Sequence, residues 1–215
     1  MSNYAIPTDH VQQKMNDIFK KLFDNGYMIP FEDNDKFDKI WERTNSIMKI
    51  SEAKYTILQD EELLRKYKLF WAGHFINDFD IYNDYFHQAA CYLLGMFEHN
   101  KRFLLMILNK EKLNISERSP YGTIVTRIAQ KCSFDEIELK KLFDLETRNV
   151  LGHDDWYYSD KHFAYEDENK CEKKISITEF VEKIRYCTAL SSAIAVAWNK
   201  YFLQLEFAPR LKPKF

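Results

Sequence analysis

The sequence predicts an all-α fold, a helical bundle with a small β-hairpin, on three observations. Only 5 Gly and 5 Pro occur in 215 residues, so few positions favour a tight turn or a helix break. Apolar residues make up 46% of the chain and aromatics 16%, enough for a sizeable core. Along most of the chain the apolar residues recur at helical spacing.

Residues 9–24 place Val11, Met15, Ile18, Phe19, Leu22 and Phe23 on one helical face, and Asp24-Asn25-Gly26 stops that helix. A connector with Pro30 leads to a second helix over 34–50, with Phe37, Ile40, Trp41, Ile47 and Met48 in step. The run Glu61-Glu62-Leu63-Leu64-Arg65-Lys66 predicts, on propensity, a third helix from about Ser51 to Phe70. The strongest pattern spans Ile76 to Leu108, through Tyr82, Phe86, Leu93, Phe97 and Leu104. Glu98-His99-Asn100 is a candidate break in it. Asp80, Asp84 and His87 form a polar stripe that suits a solvated face. The alternative is that one of these carboxylates orients Arg148.

Ser116, Ser119, Pro120 and Gly122 predict a loop, followed by a short helix from Thr123 to Lys131. Ser133-Phe134-Asp135-Glu136 has the form of a capping box. It opens a helix with Ile137, Leu139, Leu142, Phe143 and Leu145, which delivers Arg148 and ends at Gly152. His153 then lies in the exit loop. Weak alternation from His162 to Ile177 suggests a β-hairpin. Ser176-Ile177-Thr178-Glu179 is a second capping box, opening a last helix from Thr178 to Glu206. Its alanines, Ala189, Ala193, Ala195 and Ala197, allow close helix contact. The chain thus divides into an N-terminal helical extension (1–72) packed on a main helical domain (73–208), with a flexible tail (209–215).

The net charge is -2, so bulk charge cannot hold nucleic acid and any such contact is local. Cys91, Cys132, Cys171 and Cys187 form no CxxC pair, and no Cys/His spacing suits zinc. Cys91 and Cys187 fall within apolar helical patterns, as buried thiols do. No metal or cofactor is expected. No apolar run reaches the ~18 residues of a membrane span, and Met1 to His10 lacks an apolar signal core. The expectation is a cytoplasmic protein without membrane contact.

The chemistry-bearing stretch is Arg148-Asn149-Val150-Leu151-Gly152-His153. Arginine offers a permanently charged fork that grips phosphate oxygens. Histidine titrates near neutrality and can pass protons. Together they suit cleavage of a phosphodiester. The competing explanation is an arginine favoured near a helix C-terminus by the macrodipole, with a histidine in the exit loop. Asp154 and Asp155 either tune His153 or are plain loop residues, and they make the site less attractive to RNA. Tyr158 could stack on a splayed base, while Lys170 and Lys173 could touch phosphate. Trp156 is expected to anchor in the core.

This motif, with helices on both sides, resembles the signature of the HEPN superfamily over roughly residues 75–206. That signature is an arginine, commonly followed by a polar residue, and a histidine a few residues on. The resemblance implies an all-helical domain and a metal-independent endoribonuclease. Arg148, Asn149 and His153 would be catalytic, and two motifs would face each other across a homodimer. It also implies an RNA substrate and a role as a toxin or phage-defence effector, with an antitoxin or regulatory protein as a further partner. One branch of the superfamily carries a tyrosine two residues after the histidine. Here that position is Asp155. A non-catalytic RNA- or nucleotide-binding module and a helical protein-interaction domain are the alternatives.

Overall fold

The computed structural model describes residues 8–30, 35–71, 78–167 and 169–207. Helices dominate: α1 (Thr8–Asp24), α2 (Asp35–Gln59), α3 (Glu61–Trp71), α4 (Asp78–Ile107), α5 (Lys110–Leu113), α6 (Tyr121–Cys132), α7 (Glu136–Leu142), α8 (Leu145–His153) and α9 (Ile177–Phe207). Between α8 and α9 lie β1 (Trp156–Ser159), β2 (His162–Glu166) and β3 (Glu172–Ser176). These form an antiparallel sheet in the order β1-β2-β3. Among the described residues no helix is long and apolar enough to cross a membrane. The tail 209–215 and the junction at 72/73 lie outside the described residues.

The long helix α4 is the axis of the bundle. α2 packs along one side of it, and α9, α6, α8 and β1 meet it elsewhere. α1 lies against α9 and contributes Val11, Met15, Ile18, Phe19 and Leu22 to the common core. It ends where the sequence indicates: Gly26 adopts φ +64 and Tyr27 N–H donates to Leu22 O at 2.8 Å, a left-handed cap that glycine adopts at little cost. Ala193 and Ala197 of α9 are buried. Small side chains there allow helices to approach closely.

The aromatic richness is concentrated where the sheet meets α4 and α9. Phe86, Phe163 and Phe180 are almost wholly buried. Phe163 lies 4.7 Å from Phe180 between ring centroids, and Phe86 meets Phe180 edge-on at 5.4 Å. Each such ring contributes about 1.5–3 kcal/mol through burial, so this cluster fastens the small sheet to the bundle. The hairpin expected over 162–177 is present as β2 and β3, with Phe163 opposite Ile175. β1 is an addition, pairing Trp156 with Tyr165.

Several expected boundaries shift. α2 runs on to Gln59, and the break falls at Asp60, whose Oδ1 accepts from Glu62 and Leu63 N–H at 2.9 Å. α4 passes through Glu98-His99-Asn100 without interruption, with His99 and Asn100 buried. α6 starts at Tyr121, whose ring is fully buried. Ser133 does not open α7. It closes α6 in the left-handed conformation, and the N-cap is Asp135, which accepts from Glu138 N–H at 2.8 Å. The second capping box is present: Glu179 N–H donates to Ser176 Oγ at 3.2 Å and Ser176 N–H to Glu179 Oε2 at 2.8 Å. Cys187 is buried, whereas Cys91 is exposed on α4.

Candidate functional site

Arg148, Asn149 and His153 all lie on α8, a helix that the sequence pattern does not separate from α7. The separation occurs at Asp144, which takes φ 44, ψ 51. Left-handed backbone is uncommon for a residue other than glycine, but Asp tolerates it better than most. Tertiary partners hold it there. Lys183 of α9 donates to Asp144 Oδ2 at 3.3 Å and to Thr147 Oγ1 at 2.7 Å, and Thr147 donates to Asp144 Oδ1 at 2.9 Å. Tyr186 of α9 donates to Leu142 O at 2.7 Å. The chain therefore turns after α7 and restarts as α8 in a new direction.

α8 buries Leu145, Thr147, Val150 and Leu151. Of the remaining positions, Glu146, Asn149, Gly152 and His153 are exposed, and Arg148 sits half-buried at the edge of the face formed by Asn149, Gly152 and His153. Asn149 and His153 are four residues apart and so share one stripe of the helix, as do Arg148 and Gly152. Gly152 does not end the helix. α8 continues to His153, and Asp154 at φ 57 is the cap, its N–H donating to Val150 O. His153 thus belongs to the last helical turn and not to a loop. Among the described residues its side chain has no hydrogen-bond partner, and Asp154 and Asp155 are exposed beside it.

The carboxylate that meets Arg148 comes from Glu98 of α4. Arg148 Nη2 lies 3.4 Å from Glu98 Oε1, and Arg148 Nη1 lies 3.4 Å from Asn149 Oδ1. Glu98 also faces Lys101 at 3.5 Å. Two members of the polar stripe are engaged elsewhere: Asp84 pairs with Lys54 of α2, and His87 packs edge-on against Trp156 at 4.6 Å. Glu98 was hidden because its neighbours in sequence resemble a helix break. A lone carboxylate on the half-buried side of an apolar helix was the available signal.

The residues expected to hold RNA are dispersed. Tyr158, on β1, is half-buried and packs against Phe86 at 6.0 Å and Tyr82 at 6.5 Å, so its ring is engaged by the core. Trp156 stacks on Phe163 at 4.8 Å, as a core anchor does. Lys170, in the β2–β3 turn, lies 4.0 Å from Glu166, and Lys173 lies 3.3 Å from Asp167. Lys173 lines a cleft of about 300 Å³ with Glu146, Asp144 and Lys183, between the start of α8 and α9. Tyr165 donates to Glu146 Oε1 at 3.0 Å on that side, and its phenol is pushed up first by burial and then by the Glu146 charge. Among the described residues no group of His, Cys, Asp and Glu could hold a metal ion.

No family model, no curated protein and no solved structure matches this chain.

Proposed function

We propose that this protein is a metal-independent endoribonuclease of HEPN type, acting through Arg148, Asn149 and His153. The observation that supports this reading is the gathering of those side chains on one outward face of α8, with Arg148 at its edge. The resemblance of the Arg148–His153 motif supplies the reaction class. In that reaction the RNA 2′-oxygen attacks the adjacent phosphorus. The 2′-O–P bond forms and the P–O5′ bond breaks, leaving a 2′,3′-cyclic phosphate and a 5′-hydroxyl. One proton leaves the 2′-oxygen and one reaches the departing O5′. His153 carries either proton in this reading. Arg148 offsets the charge gathering on the phosphorane through charge-assisted hydrogen bonds, and the Asn149 amide holds either Arg148 or a phosphate oxygen.

One motif histidine per chain serves one of the two proton transfers. A homodimer with two α8 faces across a two-fold axis provides the second. A toxin or phage-defence effector built this way is restrained when an antitoxin or regulatory protein covers the same face. A second reading, a non-catalytic RNA- or nucleotide-binding module, draws support from Asp154 and Asp155, which lie exposed beside His153 and disfavour the further negative charge that a phosphorane gathers there.

Purified protein in excess chelator should cut RNA and leave 2′,3′-cyclic or 3′-phosphate ends. Arg148→Ala and His153→Ala should each lower the rate by about 100-fold or more, the usual weight of a positioned acid, base or charge stabiliser. Cleavage that stops in chelator and returns with magnesium, or alanine variants as active as the parent, would overturn the proposal. RNA that is bound but left intact would select the second reading.

A further inference from the structure

Gly152 occupies an exposed position inside α8, where helix propensity favours most other residues. Its backbone does not require glycine, since Gly26 is the glycine with positive φ among those described. What favours it is space. A Cβ at position 152 would lie 3.2 Å from Arg148 Nη1 and 3.5 Å from Cζ. The guanidinium therefore rests on bare backbone one turn along its own helix. Its other flank meets Glu98 at 3.4 Å. Both of its polar contacts, to Glu98 and to Asn149, are at 3.4 Å, longer than the roughly 2.7–2.9 Å of a tight charge-assisted bond. Nε is buried with no hydrogen-bond partner among the described residues. The guanidinium is thus fixed in place while its donor capacity stays incompletely used.

We propose that Gly152 and Glu98 are positioning residues for Arg148. Gly152 supplies the floor on which the guanidinium lies, and Glu98 holds it from the α4 side. Together they set it toward a phosphate-class anion at the α8 face. The proposal rests on that face being the RNA site. It also predicts an unusual pairing of effects for one substitution. Gly152→Ala adds a better helix former but forces the guanidinium to give way by a few tenths of an ångström. Stability and activity should therefore move apart, which a purely structural glycine would not produce.

The test uses the full chain, with Gly152→Ala and Glu98→Gln compared with the parent. The readouts are melting temperature, RNA cleavage and the NMR signal of the Arg148 Nε–H. Gly152→Ala should melt between about 1 °C below and about 3 °C above the parent. Its cleavage rate should fall by at least about tenfold, and its Arg148 Nε–H signal should shift. Glu98→Gln, which adds no bulk, should shift the same signal and lower cleavage several-fold. A Gly152→Ala protein that keeps cleavage within twofold, or that loses more than about 5 °C of melting temperature, overturns the assignment. If the parent does not cut RNA, the catalytic reading fails and the NMR signal alone decides the positioning roles. A shift in both variants upholds them, and an unchanged signal in either one refutes them.

Discussion

Acid should weaken this protein through His99, and replacing that residue should remove part of the sensitivity. His99 sits in the last third of α4 with 8% of its surface exposed. Burial holds its imidazole down at about 4, from an ordinary 6.5, because a charged ring is poorly solvated there. Above pH 6.5 neither the folded nor the unfolded chain protonates this ring, and its contribution is fully favourable. As the pH falls from 6.5 toward 4 the unfolded chain takes up the proton and the folded chain does not, so stability declines. Below about 4 both states are protonated and the loss is complete. The interval between 6.5 and about 4, at about 1.36 kcal/mol for each pH unit, amounts to roughly 3 kcal/mol. Against a total of about 5–15 kcal/mol for a typical domain, that is a substantial share. The assay is urea unfolding of the parent and His99→Gln at intervals from pH 7.5 to 4.5. The difference in unfolding free energy between the two should change with pH by up to about 1.36 kcal/mol per unit within the window. Two stability curves that stay parallel from pH 7.5 to 4.5 would refute the assignment of this proton to His99.

Two further predictions concern how the helices are placed. Ser176→Ala removes the side-chain half of the box that opens α9, and with it one of the hydrogen bonds that hold the Glu179 carboxyl below its ordinary range. It should cost about 1 kcal/mol of stability in chemical unfolding; a loss near zero would mean that the sheet alone sets the start of α9. Asp144→Ala leaves Lys183 without its carboxylate and puts alanine in a left-handed conformation. A loss of about 2–4 kcal/mol is expected, together with reduced RNA cleavage if the proposed function holds, because α8 is no longer held at its angle. Unchanged activity in that variant would show that the α7–α8 turn does not position the site.

Much of the architecture could be read from the amino-acid order because it depends on local signals. The face formed by Val11, Met15, Ile18 and Leu22 identified α1, and Asn25-Gly26 its end, since helical periodicity and a left-handed glycine cap are properties of a few neighbouring residues. The Ser176–Glu179 box marked the start of α9 for the same reason. Arg148, Asn149 and His153 were singled out by residue type together with the resemblance to the HEPN signature, since their spacing alone suits an ordinary helix end equally well. Gly152, by contrast, resembled a helix stop, because propensity carries no information about a guanidinium lying over it.

What the order of residues left open was settled by partners distant in sequence. Asp144 breaks one expected helix into α7 and α8 because Lys183, 39 residues further on, bonds to its carboxylate. Glu98 meets Arg148 from 50 residues away. Tyr158 turned inward because Phe86 of α4 lies beside it. The outward face of α8 is therefore a product of packing. Which side of a short helix is buried depends on the elements laid against it, and its own nine residues are too few, and too mixed in polarity, to specify that side alone.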